Sequence, residues 1–382
     1  MEMMIVAGEA SGDAHAAELM EELRRRHPAL RFFGCGGPRM AAAGCELLVS
    51  ASELAVVGLL EVVRHLPRIH GLLRRLRRAL RQRRPMAVIL VDFPDFNLRL
   101  AAAAAAANIP AIYFVSPQLW AWRSGRVRQI QRHVRRMICI FPFEQAFYSA
   151  HGVEVDAVGH PLVERIASAR VPTPGEFRSA HGISSSSTIV ALLPGSRRRE
   201  LEFHLQSMLE AARCLHAERD IEFVLPVAAT LDREAVAALI PPPMRGYTHL
   251  IDPANAYAAV AHARLAVVAS GTATVETALL GTPMIVVYRL SRLSYQMGRR
   301  MVKLPRYAMV NLIAEREVVP ELIQSEFEPS AIVDWAHRLL DDGPSRAQMV
   351  VDLEEVRRRL GQPGAIARAA TAVERALAMG TA

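Results

Sequence analysis

Lysine is nearly absent from this 382-residue chain: Lys303 is the only one, and arginine supplies the rest of the side-chain positive charge. Aromatics are sparse at 6%, and the four cysteines (Cys35, Cys45, Cys139, Cys214) show no CxxC spacing and no neighbouring histidine pair. That pattern argues against a disulfide framework and against a structural zinc site, and it suits a reducing cytoplasm. The opening MEMMIVAGEASGD has no basic stretch followed by a long apolar one. It reads as a first strand entering a glycine-bearing turn, not as a signal peptide. A membrane-spanning helix needs about 20 strongly apolar residues; the nearest candidate, 100–115, is mostly alanine and is broken by Asn108 and Pro110. GxxxxGK[ST] is missing, which disfavours a P-loop ATPase, and no GxGxxG follows the first strand, which weakens a nicotinamide or flavin reading.

The net charge of +8 admits three origins: an arginine-biased genome, an anionic lipid surface, or nucleic acid. A nucleic-acid binder would interleave aromatics with basic residues on one face. Here the tryptophans lie outside the arginine-rich stretch, so no nucleic-acid partner is expected. That stretch, 64–84, sets Ile69, Leu72, Leu73, Leu76 and Leu80 on one helical stripe among arginines. It fits either a helix lying in an anionic bilayer interface or a sheet-packing helix with a solvated arginine face.

What is present is ample apolar residue, 51% of a chain long enough for two domains. Short apolar runs alternate with helical patterns: MMIVAG, RFFGCGG, AVILVDF, AIYFVSP and MICIFPF in the first half, then TIVALLPGS, IEFVLPV, YTHLI, RLAVVASGT and TPMIVVYRL. Strands separated by helices predict α/β architecture, two Rossmann-like doubly wound domains with parallel sheets facing a cleft. The expected divisions are 1–166, a Pro/Gly/Ser-rich linker at 167–187, a second domain at 188–329, and helices from 330 to 382 for packing or dimer exchange. Doubly wound sheets bind ligands at the carboxyl ends of their strands.

Two loops of the second half share one design: LLPGSRRRE (192–200) and VVASGTATVE (267–276) each run strand, glycine turn, helix start. A helix N-terminus offers unpaired N–H groups and partial positive charge, which together favour phosphate. Gly195 and Gly271 allow close backbone approach, Ser196, Ser270 and Thr272 add hydroxyls, and Arg197 can neutralise a diphosphate. Such turns also occur as simple N-caps, but two in one domain point to a nucleotide-sugar. Glu276, one helical turn on, is placed to accept ribose hydroxyls or to be a surface glutamate.

In the first half, GEASGDAH clusters Glu9, Ser11, Asp13 and His15 at the end of strand one, with Ser11 or Asp13 as a helix cap. VDFPDFN ends another strand with Asp92 and Asp95, of which Asp95, beyond Pro94, is the chosen general base. Trp120 and Trp122 in SPQLWAWR suit a sugar-stacking wall or ordinary packing.

GEASGD, VDFPDFN, SPQLWAW, GHPL, LLPGSR, SGTATVE and VVPELIQ, in this order from residue 8 to 324, resemble the lipid-A-disaccharide synthase family. The resemblance implies a GT-B-type fold without metal or other cofactor. It implies transfer of 2,3-diacylglucosamine from its UDP derivative to 2,3-diacylglucosamine 1-phosphate, giving the β-1,6 lipid A disaccharide 1-phosphate and UDP. By the same resemblance Asp95 is the base, with Glu9 and His15 beside it. Arg197, Glu276, Asn311 and Gln324 are donor-contacting positions, and Glu9, Ser11 and His15 form a loop facing the acceptor. Trp120 is placed on the acceptor side by the reading above. Peripheral association with the inner face of the cytoplasmic membrane and a homodimer with exchangeable C-terminal helices are also implied. One departure is that Met309 and Val310 stand where family members commonly read Leu-Pro before Asn311. The rival function is a UDP-sugar 2-epimerase-like isomerase on a similar fold.

Overall fold

The computed structural model describes residues 1–53, 59–117, 119–120, 124–291, 295–296 and 306–378. Trp122 and Lys303 lie outside them. The chain forms two compact units, Met1–Pro161 with Gly361–Ala382, and Leu162–Leu360.

The first unit holds β1 (Glu2–Ala7), β2 (Arg31–Gly36), β3 (Cys45–Ser50), β4 (Val88–Val91), β5 (Ala111–Phe114), β6 (Arg136–Cys139) and β7 (Val155–Ala157). They form a sheet in the order β3-β2-β1-β4-β5-β6-β7, with every pairing parallel. The second unit holds β8 (Thr188–Leu193), β9 (Ile221–Pro226), β10 (Thr248–Ile251), β11 (Leu265–Ala269), β12 (Met284–Tyr288) and β13 (Glu321–Ile323). Its order, β10-β9-β8-β11-β12-β13, is also parallel throughout. Both sheets are wound outward from a central pair, β1/β4 in one and β8/β11 in the other. There the chain reverses direction, and a crevice at the carboxyl ends of the strands suits a ligand.

Strand alternation divides the first core cleanly. Met4, Val6, Val88 and Leu90 face one cluster, whereas Met3, Ile5, Ile89 and Val91 face another. The Leu59–Arg83 helix belongs to the first cluster. Leu72, Leu73, Leu76 and Leu80 are buried there and Ile69 packs against them. Its apolar stripe is therefore spent on the sheet, and the reading of that stripe as a bilayer-inserting face is corrected; Arg74, Arg75, Arg78 and Arg81 remain exposed. The second cluster is closed by the C-terminal Ala365–Ala378 helix through Ala369, Ala370 and Val373. Arg26 bonds Glu374 at 2.9 Å and fixes this helix to Ala10–Arg26. The remaining C-terminal helices, Pro329–Leu340 and Pro344–Arg359, belong to the second unit.

The stretch expected as a linker contains a helix, Pro174–His181. Thr173 and Glu176 form a capping box at its start, and Phe177 is buried. Proline and glycine here mark helix ends, the positions where each is best tolerated. Among the described residues no helix is long and apolar enough to cross a membrane.

Candidate functional site

In the first unit the sequence-predicted residues gather after β1 and β4, the two strands at the winding reversal. Glu9 is the N-cap position of the Ala10–Arg26 helix without making a side-chain cap, and Glu9 and Ser11 are exposed. Asp13 is a cap, though not of its own helix. Its carboxylate accepts from the amides of Gly37 (2.7 Å), Arg39 (3.0 Å) and Met40 (3.1 Å) at the start of Pro38–Ala42. His15 is buried, its ring 6.0 Å from that of His160 and 6.4 Å from that of Phe114. The helix turns the His15 ring inward, toward His160 and Phe114, whereas Glu9 and Ser11 stay exposed.

The β4 loop is a strained turn held from several sides. Asp92 and Phe93 have φ of 48° and 50°, a left-handed pair that non-glycine residues seldom adopt. Tyr113 donates to the Asp92 carbonyl (2.6 Å), and the fully buried Asn97 amide donates to the same carbonyl (2.7 Å) and to that of Val91 (3.2 Å). The Phe93 ring lies over Gly8, where a Cβ would stand 2.5 Å from it. Gly8 is thus required by the contact between the two loops. Asp92 itself is half-buried. Burial, with the negative charge of Glu9 adding, pushes its carboxyl up to about 7. Asp95 lies one residue past Pro94 in the first turn of Pro94–Ala106, exposed and ion-paired to Arg126 at 2.6 Å.

Trp120 takes the packing alternative. Its ring meets Phe143 edge-on at 4.7 Å and its Nε1 donates to Glu144 at 3.4 Å. Glu144, on the Pro142–Ala150 helix, was not singled out from sequence, where it reads as a surface helix position. It is 1% exposed, and burial pushes its carboxyl from 4.5 up to about 7. The folded protein then keeps a proton that the unfolded chain releases. Stability from this group is full below about pH 4.5 and is lost as pH rises through about 7. Between pH 5 and 8 the wild type should lose about 3 kcal/mol more unfolding free energy than Glu144→Gln in urea titrations. Parallel pH profiles for the two proteins would refute this.

In the second unit the two phosphate-type loops follow β8 and β11, neighbours at its winding reversal. They are not equivalent. In the first, the amides of Ser196 and Arg197 are already satisfied by Glu200, at 2.7 and 3.2 Å. The expectation of open amides is corrected there for Ser196 and Arg197, because the Glu200 carboxylate occupies them. The Arg197 side chain is half exposed and reaches Glu200 at 3.5 Å. In the second loop Gly271 takes φ 156°, ψ −160°, has open space above it, and no side chain caps the Thr272–Leu279 helix that follows. Ser270 donates its hydroxyl to the Tyr307 carbonyl at 3.2 Å. Glu276 lies one turn into this helix, within 3.4 Å of the Tyr257 hydroxyl. Burial raises its proton affinity and the charge of Arg165 opposes that.

Asn311 is fully buried, and its amide is saturated by protein. It donates to the Val319 carbonyl (2.9 Å) and Glu321 (2.7 Å), and accepts from the amides of Val318 (2.8 Å) and Val319 (3.0 Å). Gln324, with its amide turned to suit its neighbours, accepts from the Leu290 amide (2.8 Å) and donates to the Leu290 carbonyl (3.3 Å). Both side chains therefore hold main-chain segments in place in this structure. His204 is a further positioning residue that the sequence reading missed. Its Nδ1 donates to the Pro194 carbonyl (2.7 Å) and its Nε2 accepts from the Arg289 amide (3.0 Å), tying the β8 loop to the end of β12. Burial lowers its pKa, consistent with a neutral ring in that tautomer. The available signal was a polar residue on the otherwise apolar Leu201, Leu205, Met208 stripe. Among the described residues no cluster of three or more His, Cys, Asp or Glu is placed to hold a metal.

Solved structures share this architecture. The calicheamicin glycosyltransferase CalG4 aligns over 100% of this chain and 99% of its own, with TM-score 0.64 and 18% identity. The UDP-GlcNAc 2-epimerase from Neisseria meningitidis aligns over 96% and 97%, with TM-score 0.65 and 13% identity. At such identities the likeness shows the fold alone, a GT-B type, and the epimerase reading rests on nothing closer. Sequence comparison goes further. The lipid-A-disaccharide synthase of Anaeromyxobacter dehalogenans (strain 2CP-C) is 47% identical over 373 residues, 97% of this chain and 96% of that protein. The lipid-A-disaccharide synthase of Koribacter versatilis (strain Ellin345) is 46% identical over 364 residues, 94% and 93% of the two chains. A family model described as lipid-A-disaccharide synthetase matches residues 3–376, so the chain belongs to that family of glycosyltransferases.

Proposed function

We propose that the chain moves 2,3-diacylglucosamine from its UDP derivative onto the 6-hydroxyl of 2,3-diacylglucosamine 1-phosphate, inverting the donor centre and releasing UDP. The observation that carries the donor half is the uncapped Thr272–Leu279 helix start beneath the open Gly271 turn. A diphosphate seated there takes N–H donors and the helix dipole. Arg197, on the neighbouring β8 loop, adds a mobile positive charge for the departing UDP. Glu276, one turn further, is the ribose acceptor. Ser196, Ser270 and Thr272 line the same turns.

In the first unit Asp95 takes the proton from the attacking hydroxyl as a general base. Glu9 and Ser11 lie at the N-cap and in the first turn of the adjacent Ala10–Arg26 helix, and Asp92 is the backbone anchor of the turn that carries Asp95. A single displacement from the face opposite UDP needs no covalent enzyme intermediate. The first unit is the acceptor side and the second binds the donor. Peripheral attachment to the inner face of the cytoplasmic membrane is supported by the exposed arginines of Leu59–Arg83, which suit anionic headgroups. A homodimer completes the reading.

Incubation with UDP-2,3-diacylglucosamine, with and without the phosphorylated acceptor, tests it by mass analysis. The expected products are the disaccharide phosphate and UDP, formed only when acceptor is present. An epimerised donor without acceptor would establish the isomerase instead.

A further inference from the structure

The first unit carries a cationic groove that the donor and base assignments leave unused. A pocket of about 310 Å³ opens among the Leu59–Arg83, Pro94–Ala106 and Val127–His133 helices. Arg77, Arg99, Arg128, Arg132 and His133 line it. It runs into a second hollow of about 690 Å³ bordered by Arg81 and Arg84 on an alanine floor. No carboxylate lines either part. Two polar atoms of the lining, Arg77 Nε and His133 Nδ1, are buried without a protein partner. A buried donor left unpaired is costly, and several arginines lining one hollow with no carboxylate among them make a cationic surface suited to an anion. Arg99 donates from Nη1 to the His70 ring Nε2 at 3.3 Å, at the mouth of the hollow.

The position of the groove gives the anion an identity. Asp95 and Arg99 are four residues apart on one helix, so the groove begins about 6 Å along the axis from the base. Arg126, which pairs with Asp95 at 2.6 Å, stands two residues before Arg128. The 6-hydroxyl and the 1-phosphate of one glucosamine ring sit on the two carbons that flank the ring oxygen, one through C6, a span of the same order as one helical turn.

We infer that this groove binds the phosphate monoester of the acceptor, through Arg99 and Arg128 with Arg77, Arg132 and His133 behind them. This rests on the transferase reading. Arginines placed so fix the acceptor in register with Asp95 and make its phosphate a specificity determinant, since a site built for an anion discriminates against the analogue lacking it.

The test compares acceptor KM for 2,3-diacylglucosamine 1-phosphate and for 2,3-diacylglucosamine, in neutral-detergent micelles. The wild type should favour the phosphorylated acceptor by about tenfold or more in kcat/KM. Arg99→Gln/Arg128→Gln should raise acceptor KM about tenfold, leave donor KM within about twofold, and erase most of the preference. Retained kcat at saturating acceptor certifies that the substituted first unit is folded; Arg128→Gln alone, at an exposed position, carries the test otherwise. A preference that survives the substitutions, or is missing from the wild type, overturns the inference. So does loss of binding to phosphatidylglycerol vesicles with the acceptor preference intact, which would assign the groove to lipid headgroups. Absence of any disaccharide from wild-type protein would instead remove the transferase reading itself.

Discussion

Asp95→Asn should lower turnover by about two decades or more while UDP affinity stays within about twofold, the scale of a lost general base. Asparagine keeps the size of the side chain and its place in the first helical turn but cannot accept the proton. The fold should not suffer. Asp95 is exposed, and its pair with Arg126 is of the solvent-exposed kind worth at most about 1 kcal/mol. Asp92→Asn is the informative companion. Asparagine tolerates the positive φ of that position, and the bonds from Tyr113 and Asn97 go to the Asp92 main chain, so the turn survives. Its turnover should fall by less than about tenfold. Steady-state kinetics at saturating donor decide between the two: if Asp92→Asn carries the large loss and Asp95→Asn does not, the base is Asp92, whose carboxyl burial pushes up to about 7.

Arg197→Ala should weaken UDP binding about ten- to a hundredfold, from the loss of one or two charge-assisted bonds to diphosphate. The reason lies in the asymmetry of the two loops. Glu200 already consumes the Ser196 and Arg197 amides, so the β8 loop has its guanidinium to offer more than its backbone. The truncation leaves the capping contacts of Glu200 to both amides in place, so the loop should hold its shape. Calorimetric titration with UDP measures the effect. Unchanged affinity would mean that the Thr272–Leu279 terminus grips the diphosphate without help from Arg197.

The sequence was most legible where burial is complete. Ten strands were read as apolar runs, and the three that were not, β3, β7 and β13, each lie at the edge of a sheet. Edge strands bury less, and the burial of Val155–Ala157 and Glu321–Ile323 is partial, so no apolar run marks them. The loop motifs were legible because glycine and proline punctuate them. What sequence could not show is where each polar side chain spends its bonds. Asn311 and Gln324 stand in motif positions yet already bond protein groups, at Val318–Val319 and at Leu290, and Glu200 fills a turn that looked open. The family resemblance groups His15 with Glu9 and Ser11 on the acceptor side, but helical register buries His15 and leaves the other two exposed. Glu144 was invisible for the converse reason, that a polar residue on a helix is ordinary until packing encloses it, and His204 was marked only by its place on an apolar stripe.

A crystal structure with UDP bound tests the central claim most directly, namely that the second unit grips a nucleoside diphosphate at the end of its middle strands. The diphosphate is predicted within hydrogen-bond reach of the Thr272 amide and the Arg197 guanidinium, with the ribose at Glu276. UDP bound with its phosphates far from both Arg197 and the 270–272 turn would contradict the account.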